Sequence, residues 1–347
     1  MSQGYFVISL DMELMWGVQD KRVIHDKRRN AQDAVKIIPR ILELFTEREI
    51  HSTWAIVGFL FCANKKRILS IMPEDRPRYV NMKHSSYAYL EQIGEDEFED
   101  PYHYAGTLIN LIRETPHQEI ATHTFSNYYC LADGQTKEQF RQDILSAIEA
   151  AEPYEIVYHS ITFPGNQLNP DYLEILAENN IHVYRGYEQN WIRNTAFTRR
   201  FRFLQRAIQP LDTYLNIFGP NCQALADTIR TNNFCEINPS RMLTAYSPKT
   251  SWLELLKIKR IMGQMRYAAQ NGGVFHLYLR PSQFGSYLER NIKNLTDILD
   301  FFSTLKNAYG LKSVTMEELA TEAFRLAKNL NQPMSPPAYI IRPARLD

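Results

Sequence analysis

Neither sign of charge predominates in this sequence of 347 residues. Lys+Arg and Asp+Glu both number 39, a formal net charge of zero, so no global field exists to attract nucleic acid or an anionic membrane surface. Cysteine is sparse as well. Cys62, Cys130, Cys222 and Cys235 stand far apart with no CxxC spacing, which argues against a structural zinc knot and reads as reduced thiols. No apolar run approaches the roughly 18 residues of a membrane span. The opening MSQGYFVISLDMEL has no basic region and soon meets acid, unlike a secretory signal. The expectation is a cytoplasmic protein with no nucleic-acid partner. What is plentiful is apolar and aromatic: 44% hydrophobic, with 20 Tyr and 18 Phe, enough for a large core and suited to a sugar-binding cleft.

The opening stretch, YFVISLDMELMWG from Tyr5 to Gly17, carries the first chemical signal. Tyr5 to Leu10 has the pattern of a buried strand, and side chains two apart on a strand share a face. Asp11 and Glu13 therefore point the same way where an apolar strand runs out. Carboxylates in such a place are costly unless paired, metal-bound or used. The alternative is a solvated strand end before a turn.

Along the chain, Ala31 to Glu49 has helical spacing with Asn30 as its N-cap, and His51 to Leu60 reads as a second strand. Strand, helix, strand predicts a parallel sheet. Residues 61–118 break that rhythm with short helical pieces, an excursion of the kind that covers a site. Within it, Asp100-Pro101-Tyr102-His103 either drops polar groups onto a substrate or caps and packs on the helix from Leu108 to Glu114. Glu119 to His123, Ile156 to Phe163, Ile181 to Arg185, Phe234 to Ile237 and Val274 to Leu279 read as strands, with a last short one near Ser313. Helices are expected over Lys137–Glu152, with Phe140, Ile144, Leu145 and Ile148 on one face, and over Pro170–Asn179, Trp252–Asn271, Glu289–Tyr309 and Met316–Leu330. Gly272 closes the third of these as a C-cap. Residues 195–231 are mixed and basic and receive no assignment. The whole reads as an α/β barrel over residues 1–330 with an extended proline-rich tail over 331–347. In parallel barrels, active sites gather at the C-terminal ends of the strands.

The order of these features resembles a known family. SLDMEL, a strand running into HTFSN, the turn TFPGNQ and a late strand bearing a histidine, FHLYLRP, together resemble the polysaccharide deacetylases of the NodB-homology group, carbohydrate esterase family four, from Tyr5 to about Leu319. The resemblance implies a distorted (β/α) barrel of the polysaccharide deacetylase type. It also implies metal-dependent removal of an N-acyl group from an amino sugar, zinc being the usual metal. Carried over, Asp11 and Glu13 match the acidic motif, one as base and one as metal ligand. His123 matches the first imidazole, Pro164 to Gln167 the third motif, and His276 the general acid.

Three departures stand beside these matches. Met12 separates the two acids, which leaves open which is base and which is ligand. Asn127 stands where a second imidazole is implied, and an amide oxygen is the poorer zinc ligand. Phe163-Pro164-Gly165 stands where an Arg is expected. Either Asp11, Glu13 and His123 hold the metal with Asn127 on a bound water, or a residue such as His103 completes the shell, or the site is empty. Substrate contacts are expected from Trp16, Tyr102, His103, Tyr128, Asn166, Gln167, Arg185, Glu188 and Arg241, although Glu188 and Arg241 read first as an ion pair or loop anchor. The expected partner is an amino-sugar glycan or a nucleotide- or lipid-linked precursor of a bacterial surface polysaccharide. The competing reading is an inactive barrel that binds glycans or serves assembly.

Overall fold

The computed structural model describes residues 2–17, 24–187, 219–230 and 233–329. Among the described residues ten strands make one sheet: β1 (Tyr5–Met12), β2 (Ser52–Ile56), β3 (Gln118–Thr122), β4 (Ser160–Ile161), β5 (Val183–Arg185), β6 (Gln223–Ala224), β7 (Cys235–Ile237), β8 (Arg241–Met242), β9 (Gly273–Leu279) and β10 (Lys312–Ser313). Their order is β6-β9-β1-β2-β3-β4-β5-β7, with β10 beside β1 and β8 beside β9. Every pairing is parallel except β6 with β9. The sheet curls into a nearly closed, distorted (β/α) barrel.

β1 lies between β9 and β2, and all eight of its residues are buried. That explains its unbroken apolar run, since a central parallel strand is covered on both faces. Its alternation sorts two cores. Phe6, Ile8 and Leu10 face the outer layer of helices, and Tyr5 and Val7 join Val183, Cys235, Ile237 and Val274 inside the barrel. Met316, Leu319 and Ala320 of the helix Met316–Asn329 belong to that same inner core. Above this apolar layer the inward positions turn polar, beginning with Ser9 and His276.

The helices Lys137–Ala151, Glu254–Asn271, Leu288–Tyr309 and Met316–Asn329 lie close to their expected bounds, and Gly272 caps the second at φ +75°. Other expectations are corrected. Asn30 lies within the helix Ile24–Glu47 rather than capping it, because the polar run before it continues the helix without an apolar period to reveal it. The fourth strand shrinks to Ser160–Ile161, and Pro170–Asn179 splits into a 3-10 turn and a short helix, Leu173–Glu178. Leu145 is exposed while Asp143 of the same helix is buried. β6 and β8 went unforeseen because two residues carry no readable alternation. The excursion over 61–118 is built of short helices and ties back to the loop after β1, with Met15 N donating to Tyr102 O at 3.2 Å. The tail over 331–347, most of 195–231, and Glu188 lie outside the described residues.

Candidate active site

Five strand ends converge on one buried polar cluster. Asp11 and Glu13 come from the end of β1, His123 follows β3, Thr162 follows β4, Arg185 ends β5, and Arg280 follows β9. Arg185 grips Asp11 with both terminal nitrogens, Nη1 to Oδ1 at 2.7 Å and Nη2 to Oδ2 at 2.8 Å. The pair is almost wholly shielded, with side-chain exposures of 1% and 0%. Arg185 also donates to Ser9 Oγ (3.2 Å) and Asn166 Oδ1 (2.8 Å), and lies 4.7 Å over the Tyr278 ring. His123 meets Glu13 Oε1 through Nε2 at 3.3 Å and Thr162 Oγ1 through Nδ1 at 2.7 Å. Thr162 lies in turn 3.3 Å from Asp11 Oδ1. Arg280 stands 3.7 Å from Asp11 Oδ2 and 3.6 Å from Glu13 Oε1.

The electrostatics follow from burial and charge. Burial opposes ionisation of Asp11, but the charge and hydrogen bonds of Arg185, aided by His123 and Arg280, outweigh it and hold the carboxyl below the usual range. For Glu13, burial is outweighed by the His123 hydrogen bond and the Arg280 charge. Both acids are anionic at neutral pH. Beneath them His276 is fully buried, with Nε2 2.8 Å from Ser9 Oγ. Burial and then the Arg185 charge push its pKa down to about 3. The ring is held neutral at pH 7 and lies wholly buried below the two acids, bonded to Ser9.

Asp11, Glu13 and His123 each offer a ligand atom, all within 4.8 Å of one another, and all three residues are buried. Two carboxylate oxygens and an imidazole fit a divalent cation in donor type and in number for a hydrolytic site. Asn127 adds a further sign. It turns the chain at φ +58° and donates Nδ2 to Trp16 O at 3.2 Å, while its Oδ1 is buried and accepts no hydrogen bond among the described residues. A buried carbonyl oxygen without a donor is a place for a cation or a bound water.

Other expected substrate contacts are placed elsewhere. Trp16 is buried against Phe59 and His103, its Nε1 donating to His103 O at 2.9 Å. His103 is held at 2.7 Å by Asp100, which caps no helix. Tyr128 is fully buried, its hydroxyl donating to Gln135 and Thr136. The adjacent Tyr129 is the ring beside the acids: burial and then the negative charge of Glu13 raise its pKa, while the Asn127 side-chain amide opposes the rise. Tyr102 is half-buried beside the loop after β1. Gln167 secures Leu131 N at 2.9 Å, and Arg241 bonds Gln264 at 3.2 Å. Asn166 and Arg185 do join the cluster, as partners of each other and of Asp11. Ser9, Thr162 and Arg280 were not expected; only the polar letters inside or just after apolar strands could have signalled them.

No protein-family model matches this chain, and no curated protein matches its sequence. Solved structures do. A protein of Mycobacterium smegmatis assigned as a polysaccharide deacetylase aligns with TM-score 0.58 at 12% identity, covering 97% of this chain and 96% of that one. This chain has the polysaccharide deacetylase fold. The same deacetylase barrel also aligns with a GH57-type branching enzyme from Pyrococcus horikoshii, TM-score 0.53 at 12% identity over 92% of this chain and 70% of the other. A 4-alpha-glucanotransferase from Thermococcus litoralis gives TM-score 0.52 at 10% identity, over 93% of this chain and 41% of the other. Identities this low speak for the fold, so the chemistry has to be argued from the site.

Proposed function

We propose that this protein is a metal-dependent hydrolase that removes an N-acyl group, acetyl or formyl, from an amino sugar. The substrate is a cytoplasmic precursor or component of a bacterial surface polysaccharide. The observation that carries the reading is the buried Asp11–Glu13–His123 cluster at the C-terminal strand ends of a deacetylase-type barrel. A divalent cation held there, zinc by donor type, would polarise the acyl oxygen and acidify a water.

The chain's own residues supply the rest. Arg185 and Thr162 hold Asp11 rigid and anionic, which suits it to ligation and unsuits it to accepting a proton at neutral pH. Glu13 is the better base. Its Oε1 faces His123 and Arg280, while its Oε2 lies over Gly17, leaving one oxygen to take the proton of the attacking water. With His276 buried and held neutral, Glu13 also returns that proton to the departing amine. Thr162 fixes the orientation of the His123 ring.

Asn127 favours a second reading, an inactive glycan-binding barrel, because it replaces an imidazole where the family resemblance implies one. Metal analysis of the purified chain, with acetate and formate release from N-acylated amino sugars, separates the two. Stoichiometric metal and release that is lost in Asp11→Asn are expected. Absence of both would sink the hydrolase.

A further inference from the structure

Arg280 is the part of the site that the proposed chemistry leaves unexplained. It stands one residue beyond β9 and before the turn Pro281–Gln283, where the strand end aims its side chain at both acids. Its contacts differ in kind from those of Arg185. Arg185 makes two hydrogen bonds to Asp11 at 2.7 and 2.8 Å. Arg280 lies 3.7 and 3.6 Å from Asp11 and Glu13, beyond hydrogen-bond length. Its Nε is buried without a hydrogen-bond partner among the described residues. Charge attraction is what holds it there. Its side chain is 27% exposed, against 1% for Arg185, so it has a way out toward solvent.

The charges then balance among the side chains alone, two carboxylates against two guanidinium groups. A divalent cation among Asp11, Glu13 and His123 would place two further positive charges beside Arg280. We propose that Arg280 is an internal counter-cation: it neutralises Asp11 and Glu13 while the metal is away and is displaced when the metal binds. The donor set is thereby kept folded and buried without the ion, at the cost of a weakened metal affinity. This inference rests on the metal-site reading above, and its test separates the failure of one from the failure of the other.

The test compares the full chain with Arg280→Gln, Arg280→Met and Arg280→Lys by calorimetric titration with zinc(II), and by the visible spectrum of cobalt(II). The neutral variants are expected to bind zinc about tenfold tighter or more, and the Lys variant to stay near wild type. Equal affinity in all four proteins overturns the inference and leaves the metal site standing. Binding in the neutral variants alone would show that Arg280 blocks the ion rather than yielding to it, which overturns both the displacement and the metal-dependent reading of the natural protein. Binding in none overturns both. If the neutral variants unfold without metal, zinc should restore their near-ultraviolet dichroism, and failure to do so counts against the inference.

Discussion

Glu13 rests its carboxylate against Gly17, where a side chain would displace it. A Cβ built at Gly17 would sit 1.7 Å from Glu13 Oε2 and 2.8 Å from its Cδ, so Gly17→Ala must turn the carboxylate away. The clash is with the far end of a side chain that can rotate, so the fold should survive while zinc affinity falls by about tenfold to a hundredfold, measured by the same titration. An unchanged affinity would show that Glu13 is not a ligand. At this scale the acidic pair and His123 were legible, because polar letters ending apolar strands are conspicuous. Tyr129 and Tyr128 could not be told apart in the same way. They are neighbours in a loop without periodicity, and only the fold sends one into the core and the other toward Glu13.

The loop after β3 shows what an element does for the site. It reverses through positive φ at Thr124 (63°) and Asn127 (58°), conformations that need outside support. Asp143, on the helix Lys137–Ala151, supplies it by accepting from Phe125 N at 2.7 Å and Ser126 N at 3.2 Å, and from the Ser126 hydroxyl. Asp143→Ala strips the acceptor from two buried N–H groups. A loss of about 2 kcal/mol or more in urea unfolding is expected, with faster amide exchange at Phe125 and Ser126. Unchanged exchange there would mean that the loop holds itself. The helix was evident from Phe140, Ile144 and Ile148, but the inward aspartate was not. An apolar stripe marks a buried face without revealing which polar residue on its border has found partners.

For the whole molecule, the buried charges set a pH dependence. The folded pKa values of Asp11 and Glu13 lie below their ordinary values of 3.8 and 4.5. Their stabilisation is therefore present above those values and is lost as pH falls toward the folded ones. Burial pushes Asp143 the other way, up to about 7, against the bonds it accepts from the Ser126 hydroxyl and from Phe125 and Ser126 N–H. Its contribution is full below 3.8 and is lost as pH rises through about 7. Urea midpoints should fall steeply below about pH 4 and drift downward from about pH 4 to 7 before levelling, and Asp143→Asn should flatten only the second slope. A drift that persists in the variant would assign it to other groups. The sequence by itself determined the alternating strand and helix rhythm, the barrel class and the acids that open the site, because strand alternation and strand-end polarity are local properties of the chain. Tertiary structure alone decided that Arg185 clamps Asp11 from 174 positions away, that Arg280 hovers between both acids, and that His276 lies buried beneath them. Those outcomes depend on the register between strands and on how far the barrel closes, and neither is written in any one segment.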